Sequence, residues 1–154
     1  IRSMAKDDSD EKYMKTSEYL TSSGRLMDDM GDTEGRWRTY TDGRKYEDED
    51  GEIVKGQWYK IMNQWYYFDE NGIAATGWKQ VDGTWYRMDP DGVMLTGWQK
   101  ADGVWYYLNP DGSMAVGWIM ASPGQWYYLN SDGSMAANTV IDGCRLDGSG
   151  LWVE

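Results

Sequence analysis

The chain has 154 residues, with 26 Asp and Glu against 15 Lys and Arg, a net charge of −11 and no His. That balance argues against nucleic acid, whose phosphates need clustered Lys and Arg, and it leaves no imidazole for acid–base work and no His partner for the single Cys144. No apolar run approaches the roughly 18 residues that a membrane-spanning helix needs, so no membrane insertion is expected. Ten Trp and twelve Tyr beside one Phe put aromatic rings with a polar handle where an ordinary core would use aliphatics.

In chain order, residues 1–36 are polar (KDDSDEK among them) and read as a linker or a degenerate repeat. Within them EYLTSSGRLM (18–27) lines up with YYLNSDGSMA (127–136). Residues 37–55 read as a degenerate repeat, with a turn at Asp42-Gly43, Tyr46 and a DEDG loop. Consensus units fill 56–138: GQWYKIMNQWYYFDENGIAAT, GWKQVDGTWYRMDPDGVMLT, GWQKADGVWYYLNPDGSMAV and GWIMASPGQWYYLNSDGSMAA. Residues 139–154, with TVIDGCRLDGSGLWV, read as a shortened capping hairpin without the Trp pair. A fixed period of about 20 residues, with worn terminal copies, marks a repeat architecture in which each unit buries its apolar face only against its neighbours.

Each consensus unit carries two turn signals. Asp82-Gly83 and Asp102-Gly103 are two-residue turns of type I′ character, a conformation that needs φ > 0 at both positions. Met62-Asn63 occupies the same place in the first unit, and Ser122-Pro123-Gly124 is a three-residue variant in the last. DENG, DPDG, NPDG and NSDG form the second, wider turn. The unit is therefore a β-hairpin and a connecting loop.

A turn at Asp82-Gly83 sets Val81 opposite Thr84, Gln80 opposite Trp85, Lys79 opposite Tyr86 and Trp78 opposite Arg87. Opposed residues share a face and faces alternate along a strand. One face then carries Trp78, Gln80, Trp85 and Arg87, and the other Val81, Tyr86 and Met88. The next unit repeats this with Trp98, Lys100, Trp105 and Tyr107 on the first face. In the last unit, Ala121 is expected opposite Gln125, which keeps Trp118, Met120, Trp126 and Tyr128 together. Tyr66, Tyr86, Tyr106 and Tyr127 fall on the second face and read as core. The fold class is all-β, a solenoid of stacked β-hairpins.

The string Gly-Trp, short turn, Trp-Tyr-Tyr-Leu, Asn-x-Asp-Gly, Met, then Gly-Trp stands almost unaltered in 97–118 and 117–136. It resembles the choline-binding or cell-wall-binding repeats of Gram-positive bacteria, strongly over about 56–139. The resemblance implies a left-handed superhelix of hairpins and a secreted or cell-surface module that holds a larger protein at the cell wall. It implies choline on teichoic or lipoteichoic acid as ligand, with glucans or other cell-wall or host glycans as the alternative. The ligand cage in such repeats takes two Trp from one hairpin, a Tyr from the next and often a Met as floor. Carried onto this chain, the sets are Trp78, Trp85, Tyr107 and Met94, and Trp98, Trp105, Tyr128 and Met114. The set opened by Trp58 and Trp65 would meet Arg87, whose guanidinium would repel a quaternary ammonium or fill the cage itself. The set opened by Trp118 and Trp126 would meet Arg145 and find no third ring.

A quaternary ammonium has diffuse charge and no strong donor, so aromatic faces hold it best, at about 0.5–2 kcal/mol each. The acidic DxDG loops lack the later ligands of a calcium loop and read as turns. No metal and no cofactor is expected, and no residue pair is selected for catalysis. The chain is expected to be a non-catalytic fragment whose catalytic neighbour lies elsewhere. A structural rod with unoccupied cages, self-associating through open solenoid ends, is the reading of a different class.

Overall fold

The computed structural model describes residues 35–154; the resemblance of 18–27 to a repeat falls outside them. Every regular element among these residues is a strand, in an all-β repeat-hairpin architecture. No helix among them is long and apolar enough to cross a membrane. Two compact units are separable.

The first unit runs to Gln57 and includes Phe68–Ala74. Its hairpin joins β1 (Arg36–Tyr40) to β2 (Gly43–Glu47), with Trp37 opposite Tyr46 and Tyr40 opposite Gly43. The turn is therefore Thr41-Asp42, one residue earlier than the Asp-Gly signal suggests. A turn at Asp42-Gly43 would have put Tyr46 opposite Thr39. The observed register instead packs Tyr46 edge-on against Trp37 at 5.2 Å, with Phe68 at 5.7 Å on the same indole. Ring packing thus overrides local turn chemistry. Gly43 is itself part of this packing, since a Cβ there would stand 2.7 Å from Ile73.

The hairpin of β3 (Gln57–Ile61) and β4 (Gln64–Phe68) has its base in the first unit and its tip in the second. Its turn, Met62-Asn63, has φ of 50° and 68°, as a type I′ turn requires.

The second unit holds Trp58–Tyr67 and Ala75–Glu154. Hairpins follow from β5 (Gly77–Val81) with β6 (Thr84–Met88), β7 (Gly97–Ala101) with β8 (Val104–Leu108), and β9 (Gly117–Ser122) with β10 (Gln125–Leu129). A three-stranded sheet of β11 (Thr139–Ile141), β12 (Cys144–Leu146) and β13 (Trp152–Val153) ends the chain. The expected registers of β5–β6 and β7–β8 are observed residue for residue. In β9–β10, Gln125 pairs with Ser122 and Ala121 is extruded as a bulge. The bulge makes Pro123-Gly124 a two-residue turn and restores Trp126 opposite Met120 and Tyr128 opposite Trp118. One extra residue is thus absorbed without turning the Trp face over, which a one-residue slip would otherwise do.

The largest fully buried side chains recur once per repeat, among smaller buried residues such as Ala101, Ala115 and Ala136. Met88, Leu108, Leu129 and Leu146 in the second unit, and Phe68 in the first, close their strands and are fully buried. Tyr66 is buried, whereas Tyr86, Tyr106 and Tyr127, expected as core, are half-buried. Their rings are spent on the tryptophans of the preceding hairpin.

The wide turns are closed by their own polar side chains. Asp89 accepts the amides of Asp91 and Val93 at 2.8 and 2.9 Å, and Asp48, Asp69 and Asp147 repeat the pattern. Where the turn opens on Asn, the second acid takes over: Asp111 accepts both the amide and the hydroxyl of Ser113, and Asp132 does the same with Ser134. These bonds to the charged form hold Asp111 and Asp132 below the usual carboxylate range. The acidic loops are turn locks, and no cluster of three or more potential metal ligands occurs among the described residues.

Candidate aromatic binding corners

In each full hairpin the two Trp are diagonal neighbours on one face. Trp78 pairs with Arg87, and Trp85 with Gln80, one alternate rung nearer the turn. Their rings stand 6.4 Å apart at 88°. Trp98 and Trp105 form the same right-angled corner, at 6.2 Å and 88°. The outer ring of each corner is open to solvent: Trp65, Trp85 and Trp105 are 40–41% exposed. The inner rings, Trp58, Trp78 and Trp98, are half-buried.

The third ring comes from the following hairpin. Tyr86 meets Trp58 edge-on at 4.8 Å, Tyr106 meets Trp78 at 4.9 Å, and Tyr127 meets Trp98 at 4.9 Å. This differs from the expected assignment. Tyr107 packs on Trp98, its partner across the same hairpin, at 5.1 Å, and Tyr128 packs on Trp118 at 5.2 Å. The reason is the parity of the strand: the first face of one hairpin meets the second face of the next. Tyr106 and Tyr127 were legible in the Trp-Tyr-Tyr string, but the stacking of faces had to be known to choose between adjacent tyrosines.

Arg87 obeys the same parity. It lies over Trp78 of its own hairpin at 5.3 Å, where Tyr107 lies in the next repeat, and the ring beside Trp58 is Tyr86. The methionines are displaced by one repeat from the expected sets. The amide of Met94 bonds the carbonyl of Trp65, that of Met114 the carbonyl of Trp85, and that of Met135 the carbonyl of Trp105, each at 2.9 Å. Their side chains act as pegs. The thioether of Met94 occupies the space a Cβ would need at Gly112, and that of Met114 the space at Gly133. Met94 is therefore tied to the Trp58/Trp65 corner, Met114 to Trp78/Trp85 and Met135 to Trp98/Trp105.

Cations of the protein already visit these rings. Lys60 lies 5.8 Å from Trp65 and Lys100 5.7 Å from Trp105, each from the opposed rung. These distances are at the outer edge of a cation–π contact.

Comparison with known proteins identifies the repeats. A family model described as a choline-binding repeat matches residues 54–96 and 95–139, more than half of the chain. Among solved structures, choline binding protein F from Streptococcus pneumoniae is similar over 88% of this chain and 43% of its own, with 35% identity and a TM-score of 0.72. CbpJ of Streptococcus pneumoniae is similar over 76% and 47%, with 36% identity and a TM-score of 0.58. A multimodular pneumococcal cell wall endolysin from phage Cp-1, described in complex with choline, is similar over 73% and 33%, with 33% identity and a TM-score of 0.57. The chain spans less than half the length of these structures. Among curated proteins, none matches by sequence. With Trp corners recurring in phase with the matched repeats, the chain belongs to the choline-binding repeat family.

Proposed function

We propose that the chain is a non-catalytic attachment module that binds choline groups of teichoic or lipoteichoic acid and holds a larger protein at the surface of a Gram-positive bacterium. The observation that carries this reading is the right-angled Trp pair, Trp78 with Trp85 and Trp98 with Trp105, each joined by a Tyr ring of the following hairpin. Two perpendicular indole faces and a third ring suit a compact trimethylammonium, which gains from several ring faces at once and needs no hydrogen-bond acceptor. The carboxylate-rich surface favours a cation over an anion. The endolysin from phage Cp-1, a relative, is described with choline bound, which adds support. One corner gives an affinity in the millimolar to micromolar range after the costs of binding, and several corners on one polymer bearing many choline groups add avidity.

The test is a titration with choline chloride, followed by Trp fluorescence and melting temperature, against tetramethylammonium and sodium chloride. A saturable response to both organic cations, absent with sodium, is expected. A flat response up to tens of millimolar would remove choline as the ligand.

A further inference from the structure

We infer that the C-terminal end of the chain forms a separate organic-cation site, walled by Trp118, Trp126 and Trp152, where sequence reasoning finds only an incomplete cage. The site rests on the choline reading for its ligand class, but it is built differently from the repeat corners.

Its origin is a short hairpin. β11–β12 has three rungs, where β7–β8 has five. Leu146, fully buried like Leu108, fixes the alignment: Val140 opposite Arg145 matches Trp98 opposite Tyr107, and Ile141 opposite Cys144 matches Gln99 opposite Tyr106. Cys144 therefore takes the place of the tyrosine that would press on Trp118. The turn takes the place of the rung that carries Lys100 and Trp105. β13 then pairs Trp152 with Leu146, as Met135 bridges Leu129 and Met114 bridges Leu108. Trp152 thus stands at the repeat's methionine position, and an indole replaces a thioether.

The consequence is a recess of about 140 Å³ lined by Trp118, Trp126, Cys144 and Trp152. A thiol smaller than a phenol opens it, and the additional indole covers it. Trp126 is half-buried, where its counterparts Trp65, Trp85 and Trp105 are about 40% exposed. Trp152 is 37% exposed and forms the outer wall of the recess.

Its charge also differs from that of the other corners. Lys60 faces Trp65, Arg87 faces Trp78 and Lys100 faces Trp105, but Met120 is the residue opposite Trp126. Among the described residues, no Lys or Arg lies over Trp118, Trp126 or Trp152. Arg145 is exposed and does not line the recess. Because the hairpin is short, its turn residue Asp142 reaches the level of the rings and accepts the Trp118 indole N–H at 3.2 Å. An incoming cation thus meets three indoles and a nearby carboxylate, with no resident cation to displace.

Cys144 is the only cysteine in the chain and lines this recess, so its alkylation reports on this site. The experiment measures the rate of Cys144 modification by iodoacetamide, by mass spectrometry, with choline or tetramethylammonium chloride and with sodium chloride as control. The expected result is a saturable slowing of at least five-fold by both organic cations and none by sodium. Asp142→Asn should raise the choline concentration for half-protection several-fold, and Trp152→Ala should abolish protection while the Trp fluorescence response of the repeat corners persists. Unchanged alkylation at choline concentrations that saturate the fluorescence response would overturn the site and leave the repeat corners standing. No response in either signal would overturn the choline reading together with it.

Discussion

The two rings of one corner should separate binding from stability. Trp105 is 40% exposed; its ring meets Trp98 edge-on, with Lys100 at the outer edge of a cation–π contact. The backbone bond from Met135 to its carbonyl does not need the side chain. Trp105→Ala therefore removes one aromatic pair of about 0.5–1.5 kcal/mol and some half-exposed surface, for a total near 1–2 kcal/mol. Trp98 is the joint of the stack, with rings of Trp105, Tyr107 and Tyr127 at 6.2, 5.1 and 4.9 Å. Trp98→Ala should cost about 3–5 kcal/mol, the range for deleting a packed aromatic. For the ligand both lose one wall, about 1–2 kcal/mol or roughly five- to thirty-fold in affinity at that corner. Urea midpoints would give the stability difference, and calorimetric titration with choline the number of sites. Trp105→Ala should remain folded and lose one of the sites. If it unfolded as readily as Trp98→Ala, or kept the full stoichiometry, the division of roles within the corner would be wrong.

Other outcomes follow from the same geometry. Tyr86→Ala should weaken choline binding at the Trp58/Trp65 corner, whereas Arg87→Ala should leave that corner intact and strengthen the Trp78/Trp85 corner by removing the guanidinium 5.3 Å from Trp78; tandem titrations would separate the two. Leu108→Ala, at a fully buried position, should lower stability by about 2–5 kcal/mol, read as a shift in the urea midpoint without loss of the strand signal in the far ultraviolet at low urea. Gly133→Ala should destabilise by more than the roughly 1 kcal/mol of left-handed strain, because φ is 89° and the added Cβ overlaps the Met114 thioether; Gly83→Ala, with φ of 82° and open space around it, should show the strain alone. For pH, the folded pKa values of Asp111 and Asp132 lie below the ordinary 3.8 because Ser113 and Ser134 bond the charged form. Their contribution is present above the unfolded value and is lost as pH falls through the folded one. Ser113→Ala should thus be less stable than the wild type at pH 7, and the two melting curves should converge as pH falls towards 2.

The registers of β5–β6 and β7–β8 and the two-Trp face were written in the chain, because type I′ turns and strict alternation are local rules. Asp82-Gly83 alone sets Trp78 and Trp85 on one side of a two-stranded ribbon, whatever surrounds it. The bulge at Ala121 also obeys local logic, since it spends the extra residue of Ser122-Pro123-Gly124 without turning the face over. Two expectations failed: the turn at Asp42-Gly43, where packing of Trp37 with Tyr46 outweighed the turn signal, and the Ala121–Gln125 pair, which the bulge replaces.

What tertiary structure decided was which face meets which. Tyr106 and Tyr107 are adjacent and chemically identical, and only the stacking of the second face of one hairpin on the first face of the last assigns Tyr106 to Trp78 and leaves Tyr107 to Trp98. The same fact moved Arg87 off the Trp58 corner and tied Met94, Met114 and Met135 to tryptophans of the preceding hairpin. It also completed the terminal recess, since Trp152 is 26 residues from Trp126 and belongs to no Trp series of the repeats. Period and parity are properties of one strand and its neighbour across a turn, so sequence carries them. Contacts between hairpins depend on the rotation from one unit to the next, which no pattern of residues within a unit encodes.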